Sequence, residues 1–279
     1  MMRRPELVAD CCRGLADGAP GIPITIKCRI GVTSDRSKAA EVDDEAVYAE
    51  LHKFVETVSS QGGVSFFAVH ARRAVLGGLS PDQNRKVPPL RYGLVNRLAD
   101  DFPALRFSLN GGLTTLDSVE DLLGDETHQL AGVMVGRAAI STPWAWATVD
   151  RRLYGASTNA APNRRWLLEE YGAFADCQES KIPQKVRRIL LAPVFNLFAG
   201  EPYGKKFRAK LDAYASDVSR PISDIVLASA QETLLPETLD APPGALWDHH
   251  ARCYHLLADP SAGTDGPAVD LAAGLAGSS

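Results

Sequence analysis

Nowhere in this sequence do apolar residues approach the roughly 18–20 uninterrupted positions that a membrane span requires. The opening Met1-Met2-Arg3-Arg4-Pro5-Glu6 also lacks the apolar run of a secretion signal. A soluble intracellular protein is therefore expected, with cytoplasm and organelle both open. Cysteine is scarce and unpatterned: the five residues Cys11, Cys12, Cys28, Cys177 and Cys253 show no CxxC spacing, and an odd count argues against a disulfide framework. No metal site is expected, and a reducing compartment fits best. A G-x-G-x-x-G fingerprint is missing, which removes a separate dinucleotide-binding fold; any nicotinamide has to bind transiently. Excess basic charge is missing too, since the formal net charge is -4, so overall balance gives no hint of a nucleic-acid partner.

What is present fits a globular chain of 279 residues with 45% apolar and 23% charged residues. Up to about residue 155, helix-period and strand-like segments alternate. Helical spacing at residues 5–16 ends at Gly18, Pro20 and Gly21, and the β-branched run IPITIKC at 22–28 reads as a buried strand. A helical stripe of Val47, Leu51, Phe54, Val55 and Val58 follows, then a strand at 65–69, a helix at 92–101 and a strand at 105–109. A helix at 116–123, a strand at 132–135 and a helical region at 138–154 complete the alternation. Regular strand–helix succession predicts a parallel sheet with helices outside it, as in a βα-barrel or a doubly wound sheet. Beyond residue 160 the pattern becomes helical only, at 165–174, 184–198, 205–214 and 222–234. Residues 259–279 are rich in Ala, Gly, Pro and Ser, bury little, and read as a disordered tail.

Chemistry in such folds sits at the C-terminal ends of strands. All four expected strand ends here are polar or glycine-bearing: Lys27 and Arg29, His70 and Arg72, Asn110-Gly111-Gly112, and Gly136-Arg137. Glycines let backbone N–H groups approach an anion, and an arginine adds a permanent bidentate charge, so the last two ends read as a shared phosphate site. Lys27 suits the ring end of a cofactor such as a flavin, whose reduced form carries negative charge. His70 suits a phosphate or a ring carbonyl. A separate basic run, Lys181, Lys185, Arg187, Arg188, Lys205, Lys206, Arg208 and Lys210, faces one acid, Glu201, and reads either as a solvated helix face or as a phosphate-backbone contact.

Five segments, PELVADC (5–11), IPITIKCRIG (22–31), VHARRAVLGGLSPDQNRKVPPL (69–90), FSLNGGL (107–113) and GVMVGRAAISTPW (132–144), resemble in order and spacing the second half of tRNA-dihydrouridine synthases, nearest the A-type, tRNA-dihydrouridine(20/20a) synthase-like subfamily. The resemblance runs from residue 5 to about 215. It implies an α/β fold: the last four βα units of a (β/α)8 TIM barrel over residues 1–158, an all-helical tRNA-binding domain at 159–258, and the tail. It implies reduction of uridine to 5,6-dihydrouridine in tRNA, with FMN as cofactor and NADPH as reductant. Flavin contacts carry over to Lys27, His70, Asn110, Gly111, Gly112, Gly136 and Arg137, and tRNA contacts to Arg85, Lys205 and Arg208. Asp82 stands where the family often has a basic tRNA contact. The segment bearing the family's proton-donating cysteine has no counterpart here. Cys11, Cys12 and Cys28 read as buried small hydrophobes, so the chain is expected to be an incomplete, inactive form that self-associates through its half-barrel. Two other readings stay open: a tRNA-binding remnant without catalysis, and another FMN-dependent barrel oxidoreductase acting on a small molecule.

Overall fold

The computed structural model describes residues 1–34, 43–125, 127, 129–182 and 186–256. The expected tail at 259–279 and the basic residue Lys185 lie outside them. Two compact units divide the chain, Met1–Arg137 and Ala138–Ser279.

In the first unit, helix α1 (Pro5–Gly18) buries Val8, Ala9 and Cys12. Its partner is α2 (Asp44–Gly62), where Val47, Leu51, Phe54, Val55 and Val58 are all buried, the stripe legible in the sequence. The two helices approach closely at Gly62, where an added Cβ would lie 3.0 Å from the Ala9 Cα and 3.2 Å from the Cys12 Cβ. Asp43 caps α2 by accepting from the Glu45 amide at 3.1 Å. Cys11 corrects the expectation of burial: it is exposed, because neighbours on a helix point about 100° apart and only Cys12 turns towards α2.

Strands β1 (Thr25–Arg29), β3 (Phe66–His70), β5 (Arg106–Asn110) and β6 (Gly132–Met134) form one parallel sheet in that spatial order. Helix α3 (Tyr92–Asp101) connects β3 to β5, and α4 (Leu116–Leu123) connects β5 to β6. Strand β1 begins three residues later than the apolar run predicted, since Pro23 has no N–H to donate to a ladder and Ile22 is exposed. Two short strands that periodicity could not detect, β2 (Val32–Thr33) and β4 (Ala74–Val75), pair in parallel after β1 and β3.

The second unit begins with two short helices, α5 (Arg137–Ser141, with Arg137 belonging to the first unit) and α6 (Val149–Tyr154). Its centre is α7 (Arg164–Lys181) packed on α10 (Ile222–Thr233), and Gly172 permits the approach: a Cβ there would meet the Ser223 Cα at 2.7 Å. Asp176 of α7 caps α10 by accepting from the Ile222 amide at 2.5 Å. The helix expected at 184–198 is broken into α8 (Arg187–Leu191) and a 3-10 turn, Ala192–Val194, because Pro193 withholds a backbone donor. Helices α9 (Gly204–Tyr214) and α11 (Pro236–Asp240) complete the helical part. The all-helical expectation for 159–258 fails at its end, where β7 (Ala245–Asp248) and β8 (Cys253–Leu256) form an antiparallel hairpin. Four-residue strands carry too little period to be told from loop, and here the cross-strand pair Trp247 and Tyr254, whose rings meet edge to face 5.1 Å apart, holds them together.

Candidate functional site

Parallel pairing in register brings the C-terminal residues of the sheet into one row: Arg29 faces His70, His70 faces Asn110, and Asn110 faces Met134. Lys27 Nζ donates to Asn110 Oδ1 at 2.8 Å, and Asn110 Nδ2 donates to the Met134 carbonyl at 2.5 Å. One asparagine thus ties three strand ends together. Gly111 follows with φ +112°, and a Cβ there would sit 2.4 Å from His70 Cδ2 and 2.7 Å from Nε2. Gly112, at φ +75°, would place a Cβ 2.5 Å from Leu90 Cδ1. The Tyr92 hydroxyl donates to the Gly111 carbonyl at 2.6 Å and fixes the turn. Gly136 is different, since nothing lies within 4 Å of its would-be Cβ and its backbone faces open space.

The site is electropositive. His70 is pushed down to about 4, first by burial and then by the charges of Arg29, Lys27, Arg72 and Arg137. At neutral pH its imidazole is uncharged, with one N–H donor and one acceptor nitrogen. Lys27 is also lowered, chiefly by burial. Among the described residues the carboxylate that reaches this group is Asp82, which pairs with Lys86 at 2.7 Å and approaches Arg137 at 3.4 Å. Both its contacts are exposed, where water and salt screen an ion pair, so an arriving anion can displace Asp82 from Arg137.

Arg29 and Arg72 do other work than the strand-end pattern suggested. Arg29 Nη1 donates to the carbonyls of Arg73 (3.1 Å) and Asn84 (2.9 Å), and Arg72 Nη1 donates to those of Lys86 and Pro88. Asn84 bonds both the N–H and the carbonyl of Val75 at 2.8 Å. These side chains clasp the segment between β4 and α3, which carries Asp82 and an exposed Arg85. No local signal marked Asn84 or Tyr92 as parts of the site, and for Arg29 and Arg72 the strand-end pattern gave the place but not the carbonyl partners, which only folding brings near.

No cysteine of the first unit is placed for acid chemistry at the strand ends. Cys28 is enclosed within β1 and pushed up to about 12 by burial, and Cys12 is likewise raised. Cys11 is exposed on α1.

In the second unit the basic run separates into two sets. Arg187 makes a two-pronged pair with Glu179 at 2.8 and 2.7 Å, Arg188 reaches Asp212 at 3.2 Å, and Lys210 reaches Glu232 at 2.6 Å. Lys205 and Arg208, exposed on α9, make no ion pair among the described residues. They lie three positions apart and share a helix face.

A sequence model of the dihydrouridine synthase (Dus) family matches residues 1–234, a stretch that holds every candidate residue above. The chain belongs to the dihydrouridine synthase family. Among its relatives are proteins named tRNA-dihydrouridine(20/20a) synthase. That of Salmonella typhimurium is 43% identical over 161 residues, covering 58% of this chain and 44% of the relative. That of Synechocystis is 37% identical over 252 residues, covering 88% and 66%. That of Vibrio vulnificus is 33% identical over 243 residues, covering 86% and 67%. The chain spans between under half and about two thirds of the length of these relatives. The α/β fold with its parallel sheet is consistent with that family. Among the described residues no helix is long and apolar enough to cross a membrane, and no group of three or more His, Cys, Asp or Glu is placed to hold a metal ion.

Proposed function

We propose that this chain is the flavin- and tRNA-binding part of a tRNA-dihydrouridine synthase. Its first unit would supply the last four βα units of an FMN-binding barrel, and the following region, from about residue 159, would grip tRNA. The observation that carries this reading is the single row of strand ends, where Lys27, His70 and Asn110 stand beside Gly111-Gly112 and the adjacent strand leads into Gly136-Arg137. These residues fit an anionic flavin. Cationic groups outnumber carboxylates there, and at Gly136 the backbone is open to an approaching phosphate.

Bound FMN, reduced by NADPH, would supply the hydride for the uridine C5–C6 bond. The chain's own residues bind and orient. Arg137 would hold the phosphate with the amides after β5 and β6, and Lys27, oriented by Asn110, would neutralise charge at the ring end. His70, uncharged, would donate a hydrogen bond without adding charge. Arg85, Lys205 and Arg208 would meet tRNA phosphates. The proton for C5 would come from outside these residues, because Cys28 is enclosed and reluctant to ionise; the chain by itself would then be inactive. Among the described residues, strands β1 and β6 are each paired on one side, and these open edges would support self-association.

Arg137→Ala should weaken FMN binding by about 1.5–3 kcal/mol, roughly 10–150-fold in Kd, as loss of a charge-assisted hydrogen bond does. Flavin-fluorescence titration checks this, and an unchanged Kd removes Arg137 from the phosphate site. Replacing Lys205 and Arg208 together by Ala should lower tRNA affinity. The slope of log K against log salt should fall by about 1.4–1.8, the release expected for two phosphate contacts. An unaltered slope would return both residues to an ordinary solvated face. Retention of tRNA without FMN would favour a binding remnant, and FMN binding without tRNA a small-molecule oxidoreductase.

A further inference from the structure

Tyr203 stands at the head of α9 with φ +60°, one of two described non-glycine residues in the left-handed region. A side chain is strained there, and such strain persists only where the surroundings enforce it. The enforcing frame is visible. The Tyr203 carbonyl accepts from the Lys206 and Phe207 amides at 2.8 and 3.1 Å, starting the helix. The next residue, Gly204, is pressed so closely on Phe198 that a Cβ would lie 2.0 Å from its carbonyl oxygen. Behind it the buried Phe198 and Phe207 rings meet edge to face, 4.8 Å apart. A rigid corner therefore projects Tyr203 outwards.

The tyrosine itself contributes little to that corner. The residue is 43% exposed, and its hydroxyl has no hydrogen-bond partner among the described residues. What it does have is charge around it. Lys206 Nζ lies over one face of the ring, 4.8 Å from its centroid, and Lys205 and Arg208 belong to the same helix without ion pairs among the described residues. An exposed aromatic on a fixed backbone, bordered by cations that make no ion pair among the described residues, is the combination by which proteins hold unpaired nucleotides: the ring takes a base face and the cations take the neighbouring phosphates.

We propose that Tyr203 is a stacking platform for an unpaired base of the RNA partner, taken on the ring face opposite Lys206, with Lys206 holding a flanking phosphate. This rests on the tRNA-binding reading and adds to it a contact that is not electrostatic. Stacking on a preformed corner loses little side-chain entropy, since the ring is already held out in one place. These cations fit the polyanion, and the ring fits the part of RNA that is not paired.

The test uses the full chain and an unmodified tRNA transcript, with affinity read by fluorescence anisotropy across a salt series and stability read by thermal melting. Tyr203→Gly removes the ring and relieves the left-handed strain. It should weaken binding about 5–150-fold, the range for one stacked base, while the melting temperature stays level or rises. The salt slope should not change, because no phosphate contact is lost. Tyr203→Phe should keep the affinity, and Tyr203→Leu, bulky but without a π-face, should lose it. Parent-like binding by Tyr203→Gly overturns the proposal, as does a lowered melting temperature or a loss in Tyr203→Phe as large as that in Tyr203→Gly. If Lys205→Ala/Arg208→Ala weakens binding while Tyr203→Gly does not, the stacking contact is wrong and the tRNA reading stands. If the parent chain does not bind the transcript at all, the tRNA reading itself fails.

Discussion

Arg164→Met, with Glu201 left in place, should destabilise the second unit by about 3–5 kcal/mol, the range for removing one partner of a buried ion pair. Arg164 is only 2% exposed, and its guanidinium pairs with Glu201, donates to the Thr238 carbonyl at 3.1 Å, and lies 4.9 Å from the Trp144 ring. Burial lowers the arginine, and Glu201 offsets that. Glu201 also accepts from the Tyr254 hydroxyl at 2.5 Å, and that hydroxyl lies 3.0 Å from Thr238 Oγ1, so the network ties α7, α11 and the hairpin together. Methionine fills most of the space but leaves an unpaired carboxylate in a dry site, and desolvation of that charge is the dominant loss. Arg164→Met/Glu201→Leu should recover much of the stability, because it removes both charges. Urea denaturation followed by tryptophan fluorescence reports on this directly. A single-variant loss below about 1 kcal/mol, the scale of an exposed pair, would mean that water reaches the pair and that it is not a buried one.

Gly111→Ala is the second large effect. The backbone there has φ +112°, and the methyl group would lie 2.4 Å from His70 Cδ2. Conformational strain and overpacking add, so about 2 kcal/mol or more should be lost, and the His70 ring must move. Because His70 belongs to the proposed flavin site, FMN affinity should fall with stability. Gly136→Ala is the internal comparison. Nothing lies within 4 Å of its would-be Cβ, so melting should change little while the methyl group intrudes on the open backbone face. Equal melting temperatures for Gly111→Ala and the parent would show that the 110–112 turn relaxes freely, and the pre-set cradle would have to be abandoned.

Much of this architecture could be read without coordinates. Helices α3 (Tyr92–Asp101) and α4 (Leu116–Leu123) fall where periodicity placed them to the residue, because apolar positions at helical spacing are bounded there by residues that cannot continue the turn. The α2 stripe is buried as read. Strand ends were legible for a similar reason: Asn110-Gly111-Gly112 and Gly136-Arg137 each follow a short β-branched or apolar run. Less was legible in the hairpin Ala245–Leu256, whose strands are too short to show a period. The late start of β1 was present in the sequence as Pro23, but the surrounding apolar run outweighed it.

The basic segment shows where local reading stops. In one dimension Arg187, Arg188, Lys205, Arg208 and Lys210 look alike. Folding brings Glu179, Asp212 and Glu232 to three of them and leaves Lys205 and Arg208 without an ion pair among the described residues, so a single run of charge is partly scaffold and partly available surface. Arg29 and Arg72 likewise look like ligand-binding strand ends, yet they donate to loop carbonyls up to 55 positions away. By itself, then, the sequence determined the longer helices, the four strands of the parallel sheet, their order and the residues at their ends, since these follow from side-chain period and backbone chemistry over a few neighbouring positions. The tertiary structure alone decided which charges are spent on the fold, which glycines are enclosed, and which tyrosine is held out in water. Each of those depends on partners that come within a few ångströms only after the chain has folded.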